Sequence, residues 1–153
     1  MPTHDQLEAL LPLACRWAAE QELMILQSGV ALTEAQVDDA RQVGVSQPDQ
    51  VRLLIVDEIP IPDHPQLTAA AEETGLISPF TIGLTLRYGI FIHADHWGQR
   101  PLVVHELAHT MQYERLGSIQ AFLRQYLHEC ITIGYPEAPM EQEAKKIEHE
   151  MCS

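Results

Sequence analysis

Two histidines four positions apart, His105 and His109, enclose a glutamate, Glu106, in the pentapeptide HELAH. On a helix a separation of four turns the chain by about 400° and advances it by roughly 6 Å, so both imidazoles leave the same face. Two nitrogens so placed can share one tetrahedral Zn²⁺. Glu106, about 100° around from His105, can then reach a metal-held water without being a ligand itself. Zinc lowers the pKa of such a water toward neutrality, and Glu106 is the base that takes its proton. The spacing therefore points to hydrolysis by metal-activated water.

The residues around the motif agree with that reading. Val103 and Val104 precede it, Leu107, Ala108, Thr110 and Met111 are uncharged, and no proline or glycine interrupts the turn. An apolar collar orients the ligands and keeps water from the back of a metal site. The alternative is a core helix whose histidines are satisfied by carboxylates or carbonyls. A catalytic zinc takes a third protein ligand and keeps its fourth position open. A metzincin would carry a third histidine at position 115, which is arginine here, so that class is excluded. A glutamate from a later helix is left. Glu129 and Glu141 are the candidates, Glu129 on the helix that turns back after Gly117 and Glu141 at the start of the last helix.

The stretches HELAHTMQYERLG, FLRQYL, GYPEAP and MEQEA together resemble the small bacterial gluzincin-type metallopeptidase-like proteins. In these an HE-x-x-H-x-x-Q helix is followed by an aromatic-rich helix, a proline-bearing turn and a Glu-x-x-Ala helix. The resemblance spans roughly 90–150 and leaves the helical N-terminal third without a motif. It implies a zincin-like fold, a zinc cofactor and a peptide or protein substrate. It also implies that Glu141 is the third ligand, with Ala144 packed beneath it, although Glu129 has the interval of thermolysin-like enzymes and Glu143 stands nearby. Many gluzincins place an aspartate after that alanine to hold a histidine ligand. Lys145 occupies the position here, so that support must come from elsewhere, with Glu143 a candidate. The resemblance further implies a tyrosine or histidine that stabilises the transition state, and Tyr126 and Tyr135 are the candidates.

Zincins carry an edge strand ahead of the active-site helix, to which an extended substrate adds as a further strand. The segment YGIFIHAD, 88–95, has the position for that role. His93 and His96 are candidate extra ligands or donors, set against the plainer reading of surface histidines. Gln112 and Tyr113 lie near the His109 face and either bond within the site or pack.

The elements needed to hold these residues can be read from periodicity and punctuation. Leu7, Leu10, Leu11, Ala14, Trp17 and Ala18 recur at helical spacing, with Gly29 as a stop. Thr33 and Gln36 form a capping box for a second helix ending near Gly44. Val51 to Ile59 reads as a buried strand, PIPDHP as a proline-bearing loop, and Leu67 to Thr74 as a short helix closed by Gly75. Phe80 to Asp95 predicts two strands around a turn from Leu86 to Gly89. Helices follow over 99–116, from Ser118 to near Gly134, and over the last dozen or so residues. The expected fold is α+β and zincin-like: a single domain with a helical part at 1–45, a small mixed sheet at 50–95, and the active-site and ligand helices at 99–150.

Composition bounds the partners. With 9 Lys+Arg against 22 Asp+Glu the net charge is −13, which repels phosphate backbones and excludes nucleic acid as an expected partner. No run has the length of a membrane span. Cys15, Cys130 and Cys152 are odd in number and widely spaced, so they frame neither a disulfide scaffold nor a thiolate site and fit a reducing cytoplasm. ALLPLAC superficially resembles a lipoprotein signal but lacks a basic leader and holds Pro12. Two functions follow: a zinc-dependent hydrolase, foremost a metallopeptidase, or a non-catalytic zincin-like module with a structural zinc or a partner-binding groove.

Overall fold

A computed structural model describes residues 3–78, 80–135 and 137–153. Helix α1, His4–Ser28, opens on a capping box in which Thr3 accepts from the Gln6 amide and Gln6 reaches back to Thr3. Pro12 lies inside it without ending it, and its buried stripe is Leu7, Leu11, Ala18, Glu22 and Ile25. A short strand β1, Val30–Ala31, leads to α2, Glu34–Val43, which carries the expected Thr33–Gln36 box and stops at Gly44 with φ of 114°. That left-handed conformation favours glycine, which has no Cβ to clash.

Strand β2, Arg52–Val56, is shorter than the apolar run predicted, because the chain leaves the sheet at Asp57 for the proline-bearing loop. Helix α3, Pro65–Thr74, precedes the hairpin of β3, Gly83–Leu86, and β4, Gly89–His93. The sheet order is β1-β2-β4-β3, with β2 and β4 parallel and the other pairs antiparallel. Helices α4, Arg100–Leu116, α5, Ile119–Thr132, and α6, Pro139–Cys152, complete the chain. Ser118 caps α5 by accepting from the Ala121 amide. The turn expected at 134–139 includes Pro136, which lies outside the described residues.

This is a mainly helical α+β arrangement around a small mixed sheet. Alternation along the strands gives the sheet two apolar faces. Leu54, Leu84, Leu86 and Phe91 meet Ile25 and the other buried residues of α1 and α5. Leu53, Ile90 and Ile92 meet Val104, Leu107 and Ala108 of α4, with Ala40 and Val43 of α2. Ala144, fully buried, joins α6 to this second cluster. Among the described residues no helix is long and apolar enough to cross a membrane.

One expectation changes here. The strand at 88–95 is not an edge strand: β4 is flanked by β2 and β3, and its backbone groups are committed on both sides. The hairpin folds β3 outward, so β3 is the edge nearest α4. In the β3–β4 ladder His93 donates to Ile82, which sets Ile82, Leu84 and Leu86 as the hydrogen-bonded positions. The backbone groups of Gly83 and Thr85 consequently point away from the sheet.

Candidate metal centre

Helix α4 presents the motif because Pro101 sits in its first turn, Gly117 ends it with φ of 95°, and Val104, Leu107 and Ala108 bury its opposite side. His105 and His109 emerge one turn apart, their ring centroids 5.0 Å from each other. Facing them is Glu141, in the first turn of α6 and buried, as are Met140 and Ala144 beside it. His105 Nε2 lies 2.8 Å from Glu141 Oε1, and His109 Nε2 lies 3.1 Å from Glu141 Oε2. One ligand atom from each of the three lies within 4.8 Å of the others, and no other His, Cys, Asp or Glu joins them among the described residues.

The outer nitrogens of both rings are held as well. His105 Nδ1 is 3.0 Å from Glu148 Oε1, and a carboxylate accepts, so Nδ1 donates. His109 Nδ1 is 2.8 Å from Gln112 Oε1. The Gln112 amide nitrogen donates to the Met140 carbonyl and to Glu143, both acceptors, which turns its oxygen toward His109. Both rings therefore keep Nδ1–H outward and aim Nε2 at Glu141. That is the tautomer a zinc ligand requires, with acceptors fixing ring orientation from behind. The donor set of two Nε2 atoms and one carboxylate fits a zinc site open at its fourth position.

Burial and mutual charge act on all three groups. Burial opposes protonation of His105, but the hydrogen bond to Glu141 and the charges of Glu106, Glu141 and Glu148 outweigh it and raise its pKa to about 9. Burial opposes protonation of His109 too, and the hydrogen bond and charge of Glu141 raise its pKa nonetheless. Glu141 is the converse: burial favours its neutral form, yet the bonds from His105, His109 and Tyr126 hold it well below the carboxylate range.

Glu106 is 6% exposed and sits under the edge strand. The Thr85 hydroxyl lies 2.7 Å from Glu106 Oε1 and 3.0 Å from the Glu106 carbonyl. Gly83 lets the strand approach closely, since a Cβ there would meet Glu106 Cδ at 3.1 Å and Oε2 at 3.2 Å. Glu106, His105, His109, Glu141, Tyr126 and Tyr135 all line one cavity of about 100 Å³.

The chain matches no protein-family model, no curated protein and no solved structure. The arrangement of side chains is therefore what bears on function.

Of the three carboxylates that compete as third ligand, Glu141 alone reaches both histidines. Glu129 instead accepts from the Met140 amide, capping the start of α6 in place of its own N-cap residue Ala138. Glu143 pairs with Arg115 at 2.8 and 2.9 Å and reaches His109 only through Gln112. Tyr126 donates to Glu141 Oε2 at 2.5 Å and meets His109 edge-on. Tyr135 lines the cavity wall and packs against Gly75. Burial, followed by the Glu141 charge, pushes both phenols up, so each stays a hydrogen-bond donor.

His93 and His96 do not join the cluster. Their segment leads toward α4 through a 3₁₀ turn, where His93 Nδ1 accepts from the Asp95 amide and His96 bonds Gln99. Glu148 escaped the sequence reading although a signal existed: it lies seven residues after Glu141, two helical turns along the same face. Thr85 and Gly83 had no such signal, because only the packing of the hairpin onto α4 brings them to Glu106.

Proposed function

We propose that this chain is a zinc-dependent hydrolase of zincin-like type, foremost a metallopeptidase. The observation that carries this reading is the convergence of His105 and His109 Nε2 on Glu141, with the Glu106 carboxylate on the wall of the same cavity. His105, His109 and Glu141 would hold the ion. Zinc, when bound, supplies a Lewis acid for a carbonyl oxygen and lowers the pKa of water.

The chain's own groups divide the remaining work. Glu106 takes a proton and returns it to the leaving amine, its position fixed by Thr85 and Gly83. Tyr135, on the cavity wall, is the donor for charge developing on the substrate oxygen, while Tyr126 commits its one proton to Glu141 and steadies it. The outward backbone groups of Gly83 offer an extended peptide a ladder partner, so strand addition belongs to β3. Contacts from half-buried Glu148 and buried Gln112 keep the rings in register.

Elemental analysis of purified protein tests the metal. About one zinc per chain is expected in the wild type and in Glu129→Ala, and none in Glu141→Ala. Glu106→Gln should keep the zinc and lose about 10²- to 10⁴-fold in the rate of peptide cleavage. A wild-type protein that takes up no zinc after reconstitution defeats the proposal. So does peptide cleavage indifferent to Glu106→Gln.

A further inference from the structure

A second pair of imidazoles meets away from the metal centre, on the seam between α1 and α5. His4, in the first turn of α1, and His128, in the last turns of α5, bring their Nδ1 atoms into contact. Their rings tilt by only 15°, and the centroids lie 4.6 Å apart. Rings laid face to face with those atoms touching would have closer centroids, so the two lie edge to edge with Nδ1 opposed to Nδ1 along one line. The outer nitrogens are backed. Glu8 accepts from Arg124 at 3.1 Å through Oε1 and turns Oε2 toward His128 Nε2 at 3.9 Å. A carboxylate only accepts, so His128 carries its proton on Nε2 and leaves Nδ1 bare. His4 then donates from Nδ1, and its Nε2 lies 3.5 Å from the Thr132 hydroxyl. That hydroxyl serves equally as donor or acceptor, so His4 can move its proton to Nε2 and bare its Nδ1 as well.

We propose that His4 and His128 form a second metal site, for a divalent cation of tetragonal preference, foremost Cu²⁺. Such a site stands apart from the zinc-hydrolase reading. Two bare nitrogens opposed along a line are the trans pair of a square-planar site, whose other positions fall to water. At the metal centre three donors surround a point instead, as tetrahedral Zn²⁺ requires. Among divalent first-row metals, affinity for nitrogen donors peaks at Cu²⁺. An ion about 2 Å from each nitrogen needs the rings to part by roughly 1–2 Å. His4 is exposed and His128 partly so, which leaves both side chains room to do this. The same two helices wall the cavity of the metal centre, through Leu7 and Leu10 on α1 and Leu123 and Leu127 on α5. An ion bridging His4 and His128 therefore clasps those walls together.

Titration of metal-free protein with Cu²⁺, followed by electron paramagnetic resonance, reads the site directly. The wild type is expected to show a square-planar component with two imidazole nitrogens, beside any copper held at His105 and His109. That component should persist in His109→Ala. It should disappear from His4→Ala and from His128→Ala, each binding about one ion fewer per chain. His4→Ala alters an exposed side chain in the first turn of α1, so loss of the signal there is not loss of the fold. Added Cu²⁺ should also raise the Tm of His109→Ala and leave that of the His109→Ala, His128→Ala double variant unchanged, since only an ion bound to the native state stabilises it. A component that survives both His4→Ala and His128→Ala overturns the site and leaves the zinc reading standing, as does its absence from His109→Ala. A protein that takes up no zinc but keeps the component overturns the zinc reading alone.

Discussion

His105 needs Glu148 as much as it needs Glu141. A lone imidazole on a helix rotates about two side-chain bonds, and a ligand free to rotate binds a metal weakly. The bond from Nδ1 to Glu148 removes that freedom and fixes the tautomer. Lys145 offers His105 no carboxylate, and Glu148 supplies one from a turn further along α6. Glu148→Ala should therefore weaken zinc binding by about 10- to 100-fold without unfolding the protein. Competition titration with a chromophoric chelator measures this. An unchanged affinity would show that His105 is oriented by packing alone.

At the scale of elements the decisive contact is the one between β3 and α4. The hairpin turn at Arg87 and Tyr88 is pinned by Glu22 of α1, which accepts from the Arg87 guanidinium at 2.7 and 2.9 Å and from the Tyr88 amide at 3.0 Å. Arg87 itself has φ of 60°, a conformation uncommon outside glycine. A turn so held sets the height of β3 over Glu106, and Gly83 makes the close approach possible. Gly83→Ala should push Glu106 by a few tenths of an ångström. The expected loss is on the order of tenfold in kcat/KM, with zinc content intact, since catalysis is sensitive to small misplacements of a base. Steady-state kinetics beside elemental analysis separates this from loss of the metal.

For the whole molecule, metal and fold are separable. The apolar clusters on the two sides of the sheet are built by residues such as Ile25, Phe91, Ile90 and Val104, none of which is one of the three candidate ligands. Helix α6 docks through Ala144 and Met140 as well as Glu141. Glu141 also accepts a hydrogen bond from Tyr126. Chelation should therefore leave the far-ultraviolet circular dichroism unchanged and preserve a cooperative thermal transition. The unfolding free energy should fall only by the amount that bound ligand contributes, about 4 kcal/mol when free zinc stood at a thousand times its Kd, with a matching drop in Tm. Collapse of the helical signal on chelation would instead mark the zinc as structural.

Local chemistry made much of this legible. The capping box at Thr33, the glycine stops at Gly44, Gly75 and Gly117, and the alternation of the hairpin strands are written in short windows, so the helices and strands follow from them. The same holds for His105, Glu106 and His109, since a four-residue spacing on a helix needs no tertiary information to put two rings on one face. The third carboxylate is different. Glu129, Glu141 and Glu143 are equivalent as residues, and the packing of α6 on α4 distinguishes them by turning Glu141 inward, Glu143 toward Arg115 and Glu129 to the α6 terminus. Strand order is likewise non-local: whether β3 or β4 forms the edge depends on β2 pairing with β4 from more than thirty positions away. What a short window of sequence determined was which residues can bind and which elements form. Which carboxylate completes the cluster, which strand borders it and which apolar walls enclose it were decided by contacts between segments distant in the chain.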